Sequence, residues 1–504
     1  MRSHRQCAFV AAPFLLNFRP MAKIIASVLA RSQGQVLEQA RKAAMLGADW
    51  MELRLDVWPI QESLEAVIDA IRLPVLVACR TPEDGGSFRG TLTARRELLT
   101  HALQVGAQGL DLEQWETWTP SAGRTGLKLR IRSFHSFTGV PKELHRIRDE
   151  LSTPGTVVKL VVTAHDLADA APVLELLQET NQAEQPTVAF AMGRTAWPTR
   201  IMAAAMGAPL VYGSIDPQEA TVPDQPSIGL LAQLYRVGSL GPKTKWYGLL
   251  GNPAMHSLGP WLHNRAFRRL DHDAVYLPLE TSRPEAVLAM MPQDRLAGVS
   301  VTSPHKERML DVCLHTSDEA AAVGVVNTMV AAEGGGWHGY NTDVLGVREA
   351  LEQAGAIDGD GQTAVVLGSG GAARAGAYAL LQLGFTVAML ASRSERSQIP
   401  MGSGSAASAK PCLRSSIRRF WCTRPRLAAT AETWMAVRGS VCCPTTRRQL
   451  ARLCTTWSTS QCGPSCSKTA SAPVRSSCPE SRCSCGKRAR KSACSSARTC
   501  RKRC

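Results

Sequence analysis

The sequence predicts an α/β chain that opens with a (β/α)8 barrel, continues with a second α/β domain and an incomplete nucleotide-binding α/β unit, and ends in a disordered tail. Three observations carry this. Eight short β-branched or apolar runs alternate with Ala/Leu-rich stretches of helical spacing between residues 23 and 215. A glycine turn, GSGGAA, lies between one further apolar run and a helical stretch near residue 370. The composition then changes abruptly near residue 400. Residues 401–504 carry 21 Lys and Arg against Glu432 and Glu480, which leaves 37 cationic against 40 acidic residues before them. The chain's net charge of +16 therefore belongs to the tail, as do thirteen of its sixteen cysteines.

The barrel strands are expected at KIIASVL (23–29), WMELRLDV (50–57), PVLVACR (74–80), GLDLE (109–113), KLRIRSFH (128–135), VVKLVVTA (157–164), PTVAFAMG (186–193) and LVYGSI (210–215). An open doubly wound sheet is the alternative arrangement of the same elements. In a barrel the chemistry sits at the C-terminal ends of the strands, which singles out the charged groups placed there. Glu52 and Arg54 lie two apart on one strand, Arg80 ends the third, His135 the fifth, and Lys159 interrupts a run of valines. A lysine in that setting is either paired or has a lowered pKa, and a neutral amine is a nucleophile toward ketones.

In order along the chain, ELRLD, ACR, SFH and VVK resemble the type I 3-dehydroquinate dehydratases, over about residues 21–235. The resemblance implies that Lys159 forms an imine with the ketone of 3-dehydroquinate and that no cofactor takes part. By the same resemblance His135 moves the protons, Glu52 orients His135, and Arg54, Arg80 and Arg200 hold the substrate's carboxylate and hydroxyls, with Asp84 bracing them. Gln225 matches the glutamine of the family's lid loop. Thr221 stands where that loop usually has serine, and Asp224 where it usually has glycine.

A Gly/Pro/Lys hinge, VGSLGPKTK, follows. Beyond it GNPAMHS, TSPHK, VNT and NTD occur in the order of the substrate domain of shikimate dehydrogenases, over about residues 245–350. That resemblance implies Lys306 as proton donor and Asp343 as its partner for reduction of 3-dehydroshikimate. Ser257, Thr302 and Asn327 would bind the substrate's carboxylate and ring hydroxyls. Gly259 replaces the second serine of the usual S-x-S, and Ser300 stands where asparagine is frequent.

In TAVVLGSGGAARAGAYALLQLG the turn residues Gly368, Ser369, Gly370, Gly371 and Ala372 would let a pyrophosphate approach a helix N-terminus. After the next strand the chain offers Ser392, Arg393 and Ser394 in place of an acidic residue. Hydroxyls and a guanidinium suit a 2′-phosphate, so NADPH is expected as the cofactor.

The expected organisation is an N-terminal extension (1–20), the barrel (21–238), the substrate domain (245–350), a partial nucleotide-binding domain (351–400) and an irregular Cys/Arg/Ser-rich tail (401–504). Residues 1–20 carry basic then apolar residues as secretory signals do, without a small-x-small cleavage site, and an upstream start is the preferred reading. No apolar run reaches the ~18–20 residues of a bilayer span. A cytoplasmic enzyme of aromatic amino-acid biosynthesis is expected, with the oligomeric state open.

The tail has no histidine and no C-x-x-C pair, which disfavours zinc. A nucleic-acid-binding tail on a dehydratase scaffold is the competing reading of its charge, and is the less expected one. When plausible GC-rich codons for the tail are regrouped in an alternative frame, they can spell the dehydrogenase family's missing strand with its ATP-G loop, its VYD segment and its final helix, in order. A frameshift between about Ser394 and Pro411 is therefore expected, with the dehydrogenase activity impaired in the chain as written.

Overall fold

In the computed structural model the described residues are 21–59, 61–120, 123–180, 185–356, 358–390 and 434–437. The barrel strands are β1 (Lys23–Leu29), β2 (Trp50–Arg54), β3 (Val75–Ala78), β4 (Gly109–Glu113), β5 (Leu129–His135), β6 (Val157–Thr163), β7 (Thr187–Met192) and β8 (Leu210–Gly213). All pair in parallel and in sequence order from β1 to β7, and β8 returns to pair with β1 at Lys23↔Leu210. The result is a nearly closed eight-stranded barrel, open between β7 and β8. The expected strand at 50–57 is divided: β2 ends at Arg54, and Leu55–Val57 forms a turn of 3-10 helix.

Helices begin where a side chain can satisfy the first free N–H groups. Ser32, Ser63 and Thr91 each accept from the backbone amide three residues on. Alternation along the strands sorts side chains into two cores. Val157 and Val161 face the barrel interior with Ile25, Leu76, Ile131, Val188 and Phe190, while Val158, Leu160 and Val162 face the helices. Lys159 shares the interior face of Val157 and Val161, and this is what puts its amine inside the barrel.

The second sheet consists of β9 (Lys245–Gly251), β10 (Ala274–Glu280), β11 (Leu296–Val301), β12 (His315–Thr316), β13 (Thr328–Ala331) and β14 (Trp337–Tyr340), in the order β10-β9-β11-β13-β14-β12. It docks on the barrel through polar groups. Asp166 accepts from the Ser282 amide at 2.8 Å, Arg194 pairs with Glu280, and Arg295 Nη1 donates to the Ala205 carbonyl at 2.9 Å.

A third sheet holds β15 (Thr363–Leu367) and β16 (Thr386–Leu390) in parallel, with β17 (Trp434–Val437) antiparallel on the other edge of β15. The tail was expected to be irregular throughout, so β17 is a departure. WMAV is an apolar, β-compatible run, and its backbone pairs with an edge that would otherwise be open. Residues 1–20, Ser392, Arg393, Ser394 and the rest of the tail lie outside the described residues.

Candidate active sites

The barrel site is built around a buried carboxylate that the sequence reading missed. Lys159 Nζ lies 2.5 Å from Asp111 Oδ2 and 3.9 Å from Glu52 Oε1, and stands 4.3 Å from the centre of the Tyr212 ring. Asp111 also accepts from Arg80 Nη2 at 2.7 Å. Burial works against its charge, yet Arg80 and Lys159 prevail and hold its pKa down at about 2. Burial lowers the Lys159 pKa; Asp111 opposes that shift and Arg80 reinforces it. The signal for Asp111 was present in GLDLE, where two acids alternate inward on a strand that is buried throughout.

Arg80 is the hub of the site. Its Nη1 reaches Ser133 Oγ at 3.3 Å and His135 Nδ1 at 3.2 Å. A guanidinium can only donate, so Nδ1 accepts, and the single proton of a neutral ring then lies on Nε2. Burial, together with Arg80, Lys159 and Arg54, pushes the His135 pKa well below 6.5, which keeps the ring neutral. Glu52 does not touch His135 in this arrangement. It accepts from Ser27 Oγ and faces Lys159, because β1 and β2 pair with Ser27 opposite Glu52.

The other predicted residues surround this centre. Arg54 is held by both oxygens of Asp56, at 2.8 and 3.1 Å. Arg200 is buried against the Phe190 ring, 4.4 Å from its centre, with Nε and Nη1 lacking hydrogen-bond partners. Burial brings its pKa down to about 9, with only Asp224 opposing. An unpaired, desolvated guanidinium has a strong preference for an anion. Thr221 Oγ1 donates to Gln225 Oε1 at 2.9 Å and reaches Ser27 Oγ at 3.4 Å, which ties the loop after β8 to the Ser27–Glu52 pair. Asp84 is turned outward and accepts from Trp115 Nε1 at 2.7 Å. A cavity of about 780 Å³ lies between the loop at Asp224–Ser227 and Met255, His256, Arg265 and Arg268 of the second domain.

In the second domain Lys306 Nζ lies 2.5 Å from Asp343 Oδ2, and Asn327 Nδ2 donates to Asp343 Oδ1 at 2.8 Å. The Thr342 amide donates to Asn327 Oδ1 at 2.9 Å, so VNT and NTD lock each other in place. Ser257 Oγ accepts from the Gly259 amide at 3.0 Å, which leaves its own proton free. Thr302 packs against Gly251, where a Cβ would sit 2.2 Å from Thr302 Cγ2. Only glycine therefore lets the GNP loop lie against TSPHK. The turn at Gly368, Ser369, Gly370, Gly371 and Ala372 opens the helix Gly371–Gln382. Gly368 has φ +118°, a Cβ on Gly370 would meet open space, and one on Gly371 would come 3.3 Å from Lys306 Cδ. That open cradle beside Lys306 fits a dinucleotide pyrophosphate.

A buried lysine held between a carboxylate and an arginine inside a (β/α)8 barrel is followed here by a separate Lys–Asp pair beside a glycine turn that opens a helix. Residues 24–241 match the Type I 3-dehydroquinase family and residues 249–329 the Shikimate dehydrogenase substrate binding domain. The chain thus carries a type I 3-dehydroquinase domain followed by a shikimate dehydrogenase substrate-binding domain. It is 33% identical over 398 residues to the chloroplastic bifunctional 3-dehydroquinate dehydratase/shikimate dehydrogenase of Arabidopsis thaliana, covering 74% of this chain and 65% of that protein. It is 42% identical over 155 residues to a shikimate dehydrogenase (NADP(+)) of Anaeromyxobacter dehalogenans, covering 30% of this chain and 55% of the relative. A pentafunctional AROM polypeptide of Eremothecium gossypii is 28% identical over 68% of this chain, which spans 22% of that much longer relative.

Proposed function

We propose that the barrel dehydrates 3-dehydroquinate to 3-dehydroshikimate through an imine on Lys159, and that the second domain serves NADPH-dependent reduction of that product to shikimate, a step impaired in the chain as written. The carrying observation is the buried Lys159 amine, its pKa lowered, between Asp111, Arg80 and Glu52. The neutral amine adds to the C3 ketone, and loss of water gives the imine. The iminium acidifies the C2 proton, which passes to His135; the electron pair then forms the C1–C2 double bond as the C1 hydroxyl leaves with a proton. Hydrolysis of the imine frees product and lysine. Arg200, with two unpaired nitrogens, pairs with the substrate carboxylate, and the loop that carries Thr221 and Gln225 closes over it.

For the second step, NADPH supplies a hydride when bound, held at Gly368, Ser369, Gly370, Gly371 and Ala372, with Ser392, Arg393 and Ser394 assigned to its 2′-phosphate. Lys306 delivers the proton to the substrate oxygen, and Asp343 fixes the Lys306 ammonium. Ser257, Thr302 and Asn327 orient the ring. Among the described residues the cofactor sheet has three strands, and the residues that should complete it read in a basic, aperiodic composition. The nucleic-acid reading rests on the tail alone.

Borohydride reduction in the presence of 3-dehydroquinate tests the proposal. The expected result is a stable adduct on the peptide containing Lys159, with loss of dehydratase activity and no adduct in Lys159→Ala. Dehydration at the normal rate by Lys159→Ala would overturn it.

A further inference from the structure

The sequence departs from the dehydrogenase pattern at Gly259 and Ser300, and both positions lie against one side chain, Tyr276 on β10. A Cβ on Gly259 would stand 3.2 Å from Tyr276 Cε1, 3.5 Å from its hydroxyl and 3.2 Å from Ser257 Oγ. A serine side chain here would crowd the edge of the Tyr276 ring, and the hydroxyls of Tyr276 and Ser257 flank a single point.

The ring is held rigidly. It stacks on His263 with ring centres 4.3 Å apart and planes 13° apart. Its backbone is clamped by Asn264, which donates to the Tyr276 carbonyl at 2.9 Å and accepts from its amide at 2.8 Å. Burial raises the phenol's pKa, while a hydrogen bond from Ser300 works the other way by favouring the charged oxygen. Ser300 therefore lies within reach of the Tyr276 hydroxyl, which can both donate and accept.

We propose that the Tyr276 hydroxyl, oriented by Ser300, donates to the ligand carboxylate beside Ser257 and replaces the donor that Gly259 lacks. This rests on the reading of the second domain as a shikimate site. It accounts for both departures together: asparagine at position 300 would offer the phenol a different partner, and serine at 259 would crowd the ring.

The test is calorimetric titration of the full chain in an Arg200→Ala background, which removes the barrel's carboxylate-binding cation. Probes are shikimate and its neutral carboxamide. Tyr276→Phe keeps the ring and its stacking, and should weaken shikimate binding by about ten- to a hundredfold, the usual loss for a hydrogen bond to a charged group. It should weaken carboxamide binding less, by about two- to tenfold, because the amide carbonyl accepts only a neutral hydrogen bond. Unchanged shikimate affinity, or an equal loss for both ligands, overturns the proposal. Ser257→Ala separates the two readings. If it weakens shikimate while Tyr276→Phe does not, the inference on Tyr276 falls alone. If the parent binds no shikimate, the reading of the second site falls and takes the inference with it.

Discussion

Lys159 and Asp111 stand side by side inside the barrel, amine to carboxylate at 2.5 Å, with both side chains nearly inaccessible to water. The pair reconciles two needs of an imine-forming lysine. Burial alone would strip the amine of its proton, and Asp111 restrains that shift while anchoring Arg80. In Asp111→Asn the ammonium loses its nearest counter-charge and keeps only Glu52, at 3.9 Å, against Arg80, so the Lys159 pKa must fall further. The limb of the kcat/KM profile that reports formation of the free amine should move to lower pH by about one unit, or ~1.4 kcal/mol. The rate at the optimum should fall by at least about tenfold as Arg80 loses its anchor. A limb that stays in place would show that Asp111 does not set the amine's charge.

His135 supplies a second pH prediction. Burial and the neighbouring cations hold its pKa well under 6.5, so the imidazole is neutral at pH 7 and gains a proton only in clearly acidic solution. No loss of activity attributable to His135 should occur as pH falls from 8 to about 6.5, the ordinary histidine value. His135→Gln should lower kcat by ~10²–10⁴ with KM little changed. An acid limb at or above that ordinary value, absent from His135→Gln, would contradict the electrostatics.

Arg95 stabilises the barrel mouth from behind. It is fully buried, pairs with Glu113 and Glu116, and Glu113 lies 3.6 Å from Arg80. Arg95→Ala removes the nearest cation from two buried carboxylates, leaving Glu113 to Arg80 at 3.6 Å and Glu116 to Arg96, and should cost ~3–5 kcal/mol of stability. Lys23→Ala, which breaks the exposed pair with Asp49, should cost under about 1 kcal/mol. Urea unfolding followed through dehydratase activity measures both, and equal costs would refute the assignment.

The sequence made the strands legible because β-branched runs between turn residues are a local signal, and β1 and β4 match their expected bounds. It made the lysine and histidine legible because a polar residue interrupting an apolar strand needs a reason. Asp111 was missed because an acid in GLDLE reads as ordinary strand alternation until the barrel closes and turns its side chain inward. The pairing of Glu52 with Ser27 depends on the β1–β2 register, which no local pattern specifies. Tyr276 was invisible for the same reason: its ring meets Gly259 only once β10 and the helix Gly259–Arg269 have packed.

The reading frame supplies the last prediction. The described cofactor sheet contains β15, β16 and the antiparallel β17, whereas a dinucleotide site of this class is built from parallel strands that carry the nucleotide across their C-terminal ends. In the chain as written the strand and helix motifs expected after Leu390 are replaced by a basic, cysteine-rich composition. The purified chain should therefore dehydrate 3-dehydroquinate while oxidising NADPH slowly or not at all with 3-dehydroshikimate. A gene carrying one compensating base insertion or deletion between the codons for Ser394 and Pro411 should leave dehydration unchanged and raise reduction into the ordinary enzyme range of about 1–10³ per second. Because the barrel is identical in both proteins, the dehydratase rate is an internal control for folding. Normal reduction by the uncorrected chain would refute the frame argument, and so would failure of the corrected one to reduce its substrate.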